Sequence, residues 1–292
     1  MKILVYISAV LLFASCEKVI SVEVEEGEKK LIVDGFLTNG AGAQKIKLTI
    51  SQPYFESATP TPAIGASVKV ISSAGDTFVF VDNGTNGEYI WTPVGNDTLC
   101  KVGLHYTLEI NYNGSAYQSY SNVPIATNID SIVIGQGTPF GPPSPSKEYY
   151  AELFATDSAG QIDYCWVKTY KNDTLFSDAS SMLLVVNATT DYPGADGFQF
   201  IFPVRLSIND FSNRYQLGDS VKVEILSINE DTWRFLGEIK TQLTTNDGAL
   251  GPLFAIPTAN VRTNISKTSG DGIQALGWFS TSALSSRTET VK

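Results

Sequence analysis

The sequence predicts a mainly β protein, and three observations carry that expectation. Short runs rich in Val, Ile, Thr and Tyr alternate apolar with polar residues, as in 104–110, where Leu104, Tyr106, Leu108 and Ile110 share one face and His105, Thr107 and Glu109 the other. A period of two marks a half-buried strand. Glycine and proline, 24 and 13 in 292 residues, punctuate the runs. Turn signals lie between them at Asn39-Gly40, Ala74-Gly75-Asp76, Asn83-Gly84 and Asn113-Gly114, and Asn-Gly supplies the positive φ that two-residue hairpins need. A hydrophobic share of 43% with 17% charged residues excludes a disordered acidic tail or a coiled coil.

The first element is an address. Met1-Lys2 precedes a run, 3–13, that is apolar apart from Tyr6 and Ser8, and Ala14-Ser15-Cys16 follows. Eleven residues are too few for a spanning helix, which needs about 20, and fit the core of a signal peptide, 1–15. The small pair before cysteine resembles a bacterial lipobox, with Phe13 where leucine is usual. That resemblance implies cleavage before Cys16, with acyl chains such as palmitate on its thiol and new amino group; two or more chains anchor stably. Residues 16–28 then read as a lipid-anchored stem, with Glu23, Glu25, Glu26 and Glu28 as a solvated acidic cluster.

Candidate strands follow at 30–37, 45–51, 67–72, 77–81, 88–91, 104–110 and 116–121. Seven short strands separated by turns predict an immunoglobulin-like or transthyretin-like β-sandwich over 29–124; the Cys…Trp…Cys spacing of antibody domains does not occur. A boundary falls at 124–130. Residues 135–146, GQGTPFGPPSPS, hold four prolines and three glycines without alternation, which predicts an exposed loop suited to carrying function.

A second β-rich sandwich domain, 125–292, is expected from runs at 149–155, 164–170, 182–187, 198–208 and 221–227. The period then changes. Trp233, Leu236, Ile239 and Leu243 share a helical face across 229–245. Asn229 suits the N-cap, Glu230 and Asp231 suit the positive end of the helix dipole, and Asp247-Gly248 suits the close. Two strands, 273–280 and 284–291, end the chain.

Chemistry is thinly supplied. Acidic residues outnumber basic by 30 to 20, for a net charge of −10 and a pI near 4.6, and such a field repels nucleic acid. The single histidine, His105, falls on the polar face of a strand, and no Gly-x-Ser-x-Gly elbow appears, so no catalytic residue is assigned. Cys100 and Cys165 read as free buried thiols, although export leaves a disulfide chemically open. Zinc-type spacings are absent, and 82–88 (DNGTNGE) reads as a hairpin turn with only a faint likeness to a calcium loop. No metal and no cofactor is expected. Paired carboxylates could cleave glycosides, but thirty acids make chance pairs unavoidable. Aromatics, 11% of the chain, suit an oligosaccharide or peptide ligand and protein interfaces. Tyr54-Phe55, Tyr149-Tyr150 and Trp278-Phe279 are adjacent pairs whose members face opposite sides of a strand, and they are expected mainly in the core.

Several segments in collinear order resemble an uncharacterised lipoprotein family of Bacteroidetes, a domain of unknown function often encoded beside TonB-dependent outer-membrane receptors. They are Cys16-Glu17-Lys18-Val19-Ile20, Leu31-Ile32-Val33-Asp34-Gly35-Phe36-Leu37-Thr38-Asn39, Ser51-Gln52-Pro53-Tyr54-Phe55, Gly65-Ala66-Ser67-Val68-Lys69-Val70, Gly103-Leu104-His105-Tyr106-Thr107-Leu108-Glu109-Ile110, Thr263-Asn264-Ile265-Ser266 and Ala275-Leu276-Gly277-Trp278-Phe279-Ser280. The resemblance implies an outer-membrane lipoprotein, on the periplasmic face or the cell surface, working beside a transporter, and brings no catalytic residues. Exported proteins of that phylum can carry O-glycans at Asp-(Ser/Thr)-aliphatic triplets, which implies candidate sites at Thr98, Ser131, Ser158, Thr174 and Ser220. The expected function is thus that of a non-enzymatic accessory or substrate-capture partner of a TonB-dependent transporter. The alternatives are a surface adhesion or spacer lipoprotein and, third, a glycan or peptide hydrolase.

Overall fold

The structure is a computed structural model that describes residues 28–52, 59–95, 97–141, 147–190, 196–245, 261–269 and 274–292. The signal peptide, Cys16 and its stem through residue 27, Tyr54-Phe55, residues 142–146 of the Pro-rich loop and Asp247-Gly248 lie outside the described residues.

The fold is mainly β, as the alternation requires, with large sheets and, among the described residues, a single α-helix. Its first lobe contains β1 (Leu31–Thr38), β2 (Gln44–Ile50), β3 (Thr61–Pro62), β4 (Ser67–Ser72), β5 (Thr77–Asp82), β6 (Glu88–Trp91), β7 (His105–Tyr112) and β8 (Ser115–Asn122). They run in the spatial order β1-β2-β6-β5-β4-β7-β8. Leu31, Val33 and Leu37 of β1 turn inward onto Ile46, Leu48, Val68, Val70, Tyr89, Leu108 and Phe279. The Asn113-Gly114 signal is met: φ is +46° and +76° at the two residues, and Tyr112 pairs with Ser115, the geometry of a two-residue hairpin.

The second lobe holds β9 (Ile129–Gln136), β10 (Glu148–Ala155), β11 (Tyr164–Lys171), β12 (Thr174–Leu175), β13 (Leu183–Val186), β14 (Tyr215–Gln216) and β15 (Ser220–Ile228). Helix α1 (Glu230–Thr245), β16 (Ser266–Lys267) and β17 (Leu276–Thr290) complete the chain. β14, β10 and β9 make a small three-stranded sheet facing β11 and β15 across a core of Leu153, Val167, Val185, Phe200, Val223 and Ile225.

The chain end departs from the expected pair of strands. Residues 276–290 form one strand. Its first half, Leu276 to Ser282, runs parallel to β1, and its second half, Ala283 to Thr290, runs antiparallel to β15. β16, also read as part of the second unit, pairs with β8. Ser280, Thr281 and Ser282, polar residues at the middle of this strand, are all buried. Two of their hydroxyls find partners there: Thr281 Oγ1 donates to Ser121 Oγ at 3.1 Å, and Thr232 Oγ1 donates to Ser280 Oγ at 3.1 Å, whereas Ser282 Oγ has no partner among the described residues. The change of partner strand is marked by Asn39, whose Oδ1 accepts the Leu284 amide at 2.8 Å.

Helix α1 begins where the capping signal placed it. Asn229 Oδ1 accepts Thr232 N at 2.9 Å, which satisfies one of the orphan donors of the first turn. Its apolar face covers the seam between the lobes. Phe235 stacks on Trp278 with centroids 4.5 Å apart, and Phe36 of β1 meets Trp166 of β11 edge-on at 5.6 Å. Leu243, read as the end of that face, is half exposed. Among the described residues no helix is long and apolar enough to cross a membrane.

One backbone position decides whether β17 can lie against β1. Gly277 has φ +90°, and a Cβ there would stand 2.0 Å from the Val33 carbonyl oxygen. A side chain meets both the left-handed backbone and this clash, each a cost of about 1–3 kcal/mol. Gly277→Ala is therefore expected to lower the urea midpoint by the equivalent of about 2 kcal/mol or more, and an unchanged midpoint would contradict the parallel pairing.

Candidate functional site

The irregular segments of the second lobe build a groove. Residues 198–208, expected as a strand, correct the reading: apart from an isolated bridge between Thr156 and Gln199, they form a turn and a 3-10 helix, Val204–Leu206. Pro203 has no N–H to give a ladder, so the alternating Phe198, Phe200 and Phe202 do not lie in a sheet. Phe200 is buried, while Phe198, Ile201 and Phe202 face outward.

Phe202 meets Phe140 of the Pro-rich loop, with ring centroids 4.9 Å apart and planes at 68°. Phe140 is 81% exposed and sits at φ +61°, a conformation few non-glycine residues adopt. With Phe211 these rings border an open groove of about 590 Å³. Ser180, Ser181, Ser207 and Ser212 contribute hydroxyls, and Asp178 and Asp210 contribute carboxylates. Ser212 donates to Asp210 Oδ1 through both hydroxyl (2.6 Å) and amide (2.9 Å). These bonds hold the Asp210 carboxyl below the usual range, so it remains an acceptor and is unsuited to act as a general acid near neutrality. A smaller cleft of about 140 Å³ shares Asp178 and Ser181 with the groove and leads to Trp166 and Lys168. The Lys168 ammonium lies 4.0 Å from the Trp166 ring, and burial lowers its pKa against the pull of Glu224 and Asp34.

A polar scaffold holds the groove in place. Arg205 forms an ion pair with Glu152 and lies 3.9 Å over Phe154 and 4.7 Å over Phe202. Asn209 accepts the Ala151 amide and donates to the carbonyls of Ala151 and Leu206, at 2.8, 2.8 and 2.7 Å. Tyr215, buried, donates its hydroxyl to the Ile208 carbonyl at 2.6 Å.

The other expected positions lie elsewhere. His105 is exposed at the start of β7, and it is its backbone amide that reaches Ser73 Oγ, at 3.2 Å. Cys100 and Cys165 are free and buried in different cores; burial pushes the Cys100 thiol up and that of Cys165 up to about 12. In 82–88 the Asp82 carboxylate accepts the amides of Gly65 (2.6 Å) and Gly84 (2.8 Å) as turn chemistry, which lowers its pKa. Among the described residues no group of three or more His, Cys, Asp or Glu is placed to hold a metal ion. Of the triplet hydroxyls, Thr98 and Thr174 are exposed, whereas Ser131, Ser158 and Ser220 are half-buried. Of the adjacent aromatic pairs, Trp278 and Phe279 are both buried and Tyr149 and Tyr150 half-buried. Phe140 was legible as part of the exposed loop. Phe202 and Phe211 were not, and the proline directly after Phe202 was the available signal.

Asn209 gives the scaffold a measurable weight. Asn209→Ala leaves the Ala151 amide and two carbonyls without their side-chain partner, at about 1–3 kcal/mol for a buried unsatisfied group. A loss of that order in equilibrium denaturation is expected, and a change within error would mean that the groove wall stands without it.

No curated protein matches the sequence. A model of a domain of unknown function matches residues 17–288. That match covers the described fold from the first strand into the last, including the seam, the groove and its scaffold, and so the chain belongs to the DUF4249 family.

Proposed function

We propose that this chain is a non-enzymatic capture lipoprotein, tethered to the outer membrane by acyl chains on Cys16, that holds a ligand in the Phe140–Phe202–Phe211 groove beside a TonB-dependent transporter. The groove carries the reading. Three phenylalanines at the rim of an open groove are expensive to leave in water unless something covers them. Rings bordered by serine hydroxyls and acceptor carboxylates suit a partner with both apolar faces and donor groups, such as an oligosaccharide or a peptide. The lipobox at Ala14-Ser15-Cys16 supports the tether, and the collinear segments quoted above support the bacterial phylum and the transporter partnership.

The strand common to both sheets favours a second reading, in which two stiffly joined lobes space an adhesive tip from the membrane. Deletion of the gene separates the two: lost nutrient uptake fits capture, and altered attachment with normal uptake fits the spacer.

The direct test has two parts. On oligosaccharide and peptide arrays the wild-type protein is expected to bind, with at least a roughly tenfold loss in the Phe140→Ala, Phe202→Ala double variant; arrays that the wild type leaves blank count against capture. From detergent-solubilised outer membrane the tagged protein is expected to bring a transporter with it, and repeated recovery alone rejects that partnership.

A further inference from the structure

Asp157 and Asp163 are the two carboxylates buried in the described structure, at 3% and 5% exposure, and neither forms an ion pair with a lysine or arginine among the described residues. They meet where the 156–163 connection between β10 and β11 lies against 196–199. Gly197 N donates to Asp157 Oδ2 at 3.0 Å, whereas Asp157 Oδ1 has no hydrogen-bond partner among the described residues. Asp163 accepts from Ser158 N at 2.8 Å and from Gln161 Nε2 at 2.6 Å, and its own amide donates to Asn187 Oδ1 at 3.0 Å.

Among the described residues every titratable group facing Asp157 is an acid: Asp163 from the same connection, Asp196 from the opposing segment, and the Cys165 thiol from β11. Burial raises the Asp157 pKa to about 6, with Asp163 and Asp196 adding to the rise against the Gly197 amide. A buried carboxylate with no counter-charge takes up a proton, and two in contact share one.

We propose that Asp157 and Asp163 form a proton-held latch, in which one proton bridges Asp157 Oδ1 and the Asp163 carboxylate and its loss lets the 156–163 connection part from 196–199. The proton comes from solvent and returns to it. The orphaned oxygen is the donor site that the proton fills. Segment 196–199 leads straight to the groove: Phe198 O accepts Asp157 N at 3.0 Å, Phe200 N donates to Ala155 O at 2.8 Å, and Ile201 N donates to Ala188 O at 3.1 Å, one residue before Phe202. An effect on ligand capture would rest on the reading of the groove given above; the latch itself does not.

The sign follows from a pKa raised on folding. The stabilisation is complete below the ordinary aspartate range and is lost as pH rises through about 6. Hydrogen exchange on the mature, full-length chain, corrected for intrinsic rates, is expected to show roughly tenfold more protection of 156–163 and 196–199 at pH 5 than at pH 7. Asp157→Asn, whose amide can donate permanently to Asp163, is expected to remove that difference. Equal protection at the two pH values, or the wild-type slope persisting in Asp157→Asn, overturns the proposal. Should the variant fail to fold, the carbon-13 carboxyl titration of wild-type Asp157 decides it: a midpoint near 6 supports the latch and one below about 4.5 rejects it. Calcium that restores full protection at pH 7 also rejects it, because the counter-charge would then be a metal ion.

Discussion

The pairing of one strand with two sheets is the constraint on which the molecule depends. β17 leaves β1 at Ser282 and joins β15 at Ala283, so the inter-strand hydrogen bonds continue from one lobe into the other. A β-ladder bond satisfies backbone groups that would be costly to bury unpaired, and here that requirement fixes the two sheets relative to each other. The connection between the lobes is pinned as well: Thr127 N donates to Ser227 Oγ at 2.8 Å and Ile129 N to Ser285 Oγ at 3.0 Å. Helix α1 then closes the seam with Phe235 and Trp278, an aromatic pair worth about 0.5–1.5 kcal/mol beyond its buried area.

The groove depends on this rigidity without sharing its regularity. Its walls come from segments that cannot be strand: a Pro- and Gly-rich loop, a turn ending at Pro203, and a 3-10 helix. Such segments have few ladder bonds, so side chains must satisfy and position them. Asn209, Arg205 and Tyr215 do so by bonding to backbone or to Glu152 from regular elements. Exposed rings at Phe140, Phe202 and Phe211 are the consequence, since a wall that gives its polar groups to the scaffold presents its apolar ones outward.

Within the candidate site, legibility tracked local chemistry. The irregular stretch was visible because four prolines and three glycines in 135–146 break any period. Gly135 and Gln136 correct that reading by pairing with Tyr150 and Tyr149 at the end of β9, and the described part of the loop, 137–141, carries Phe140. Phe198, Phe200 and Phe202 misled because alternation is a strand signal whatever the following residue; the missing N–H of Pro203 outweighed it. The acid pair was invisible for a different reason. Asp157 and Asp163 stand six apart in what looks like ordinary turn sequence, and only the approach of 196–199 and Asn187 buries them.

By itself the sequence determined the class of fold, most strand positions, the Asn113-Gly114 hairpin and the Asn229 cap, because each leaves a signal within a few residues: an alternation of apolar and polar side chains, a turn pair or a capping side chain. The tertiary structure decided where the last strand goes, what lines the groove and which carboxylates lose their water. Those outcomes depend on partners up to 245 residues away, as between Asn39 and Leu284, and no local period or turn preference encodes a contact at that separation.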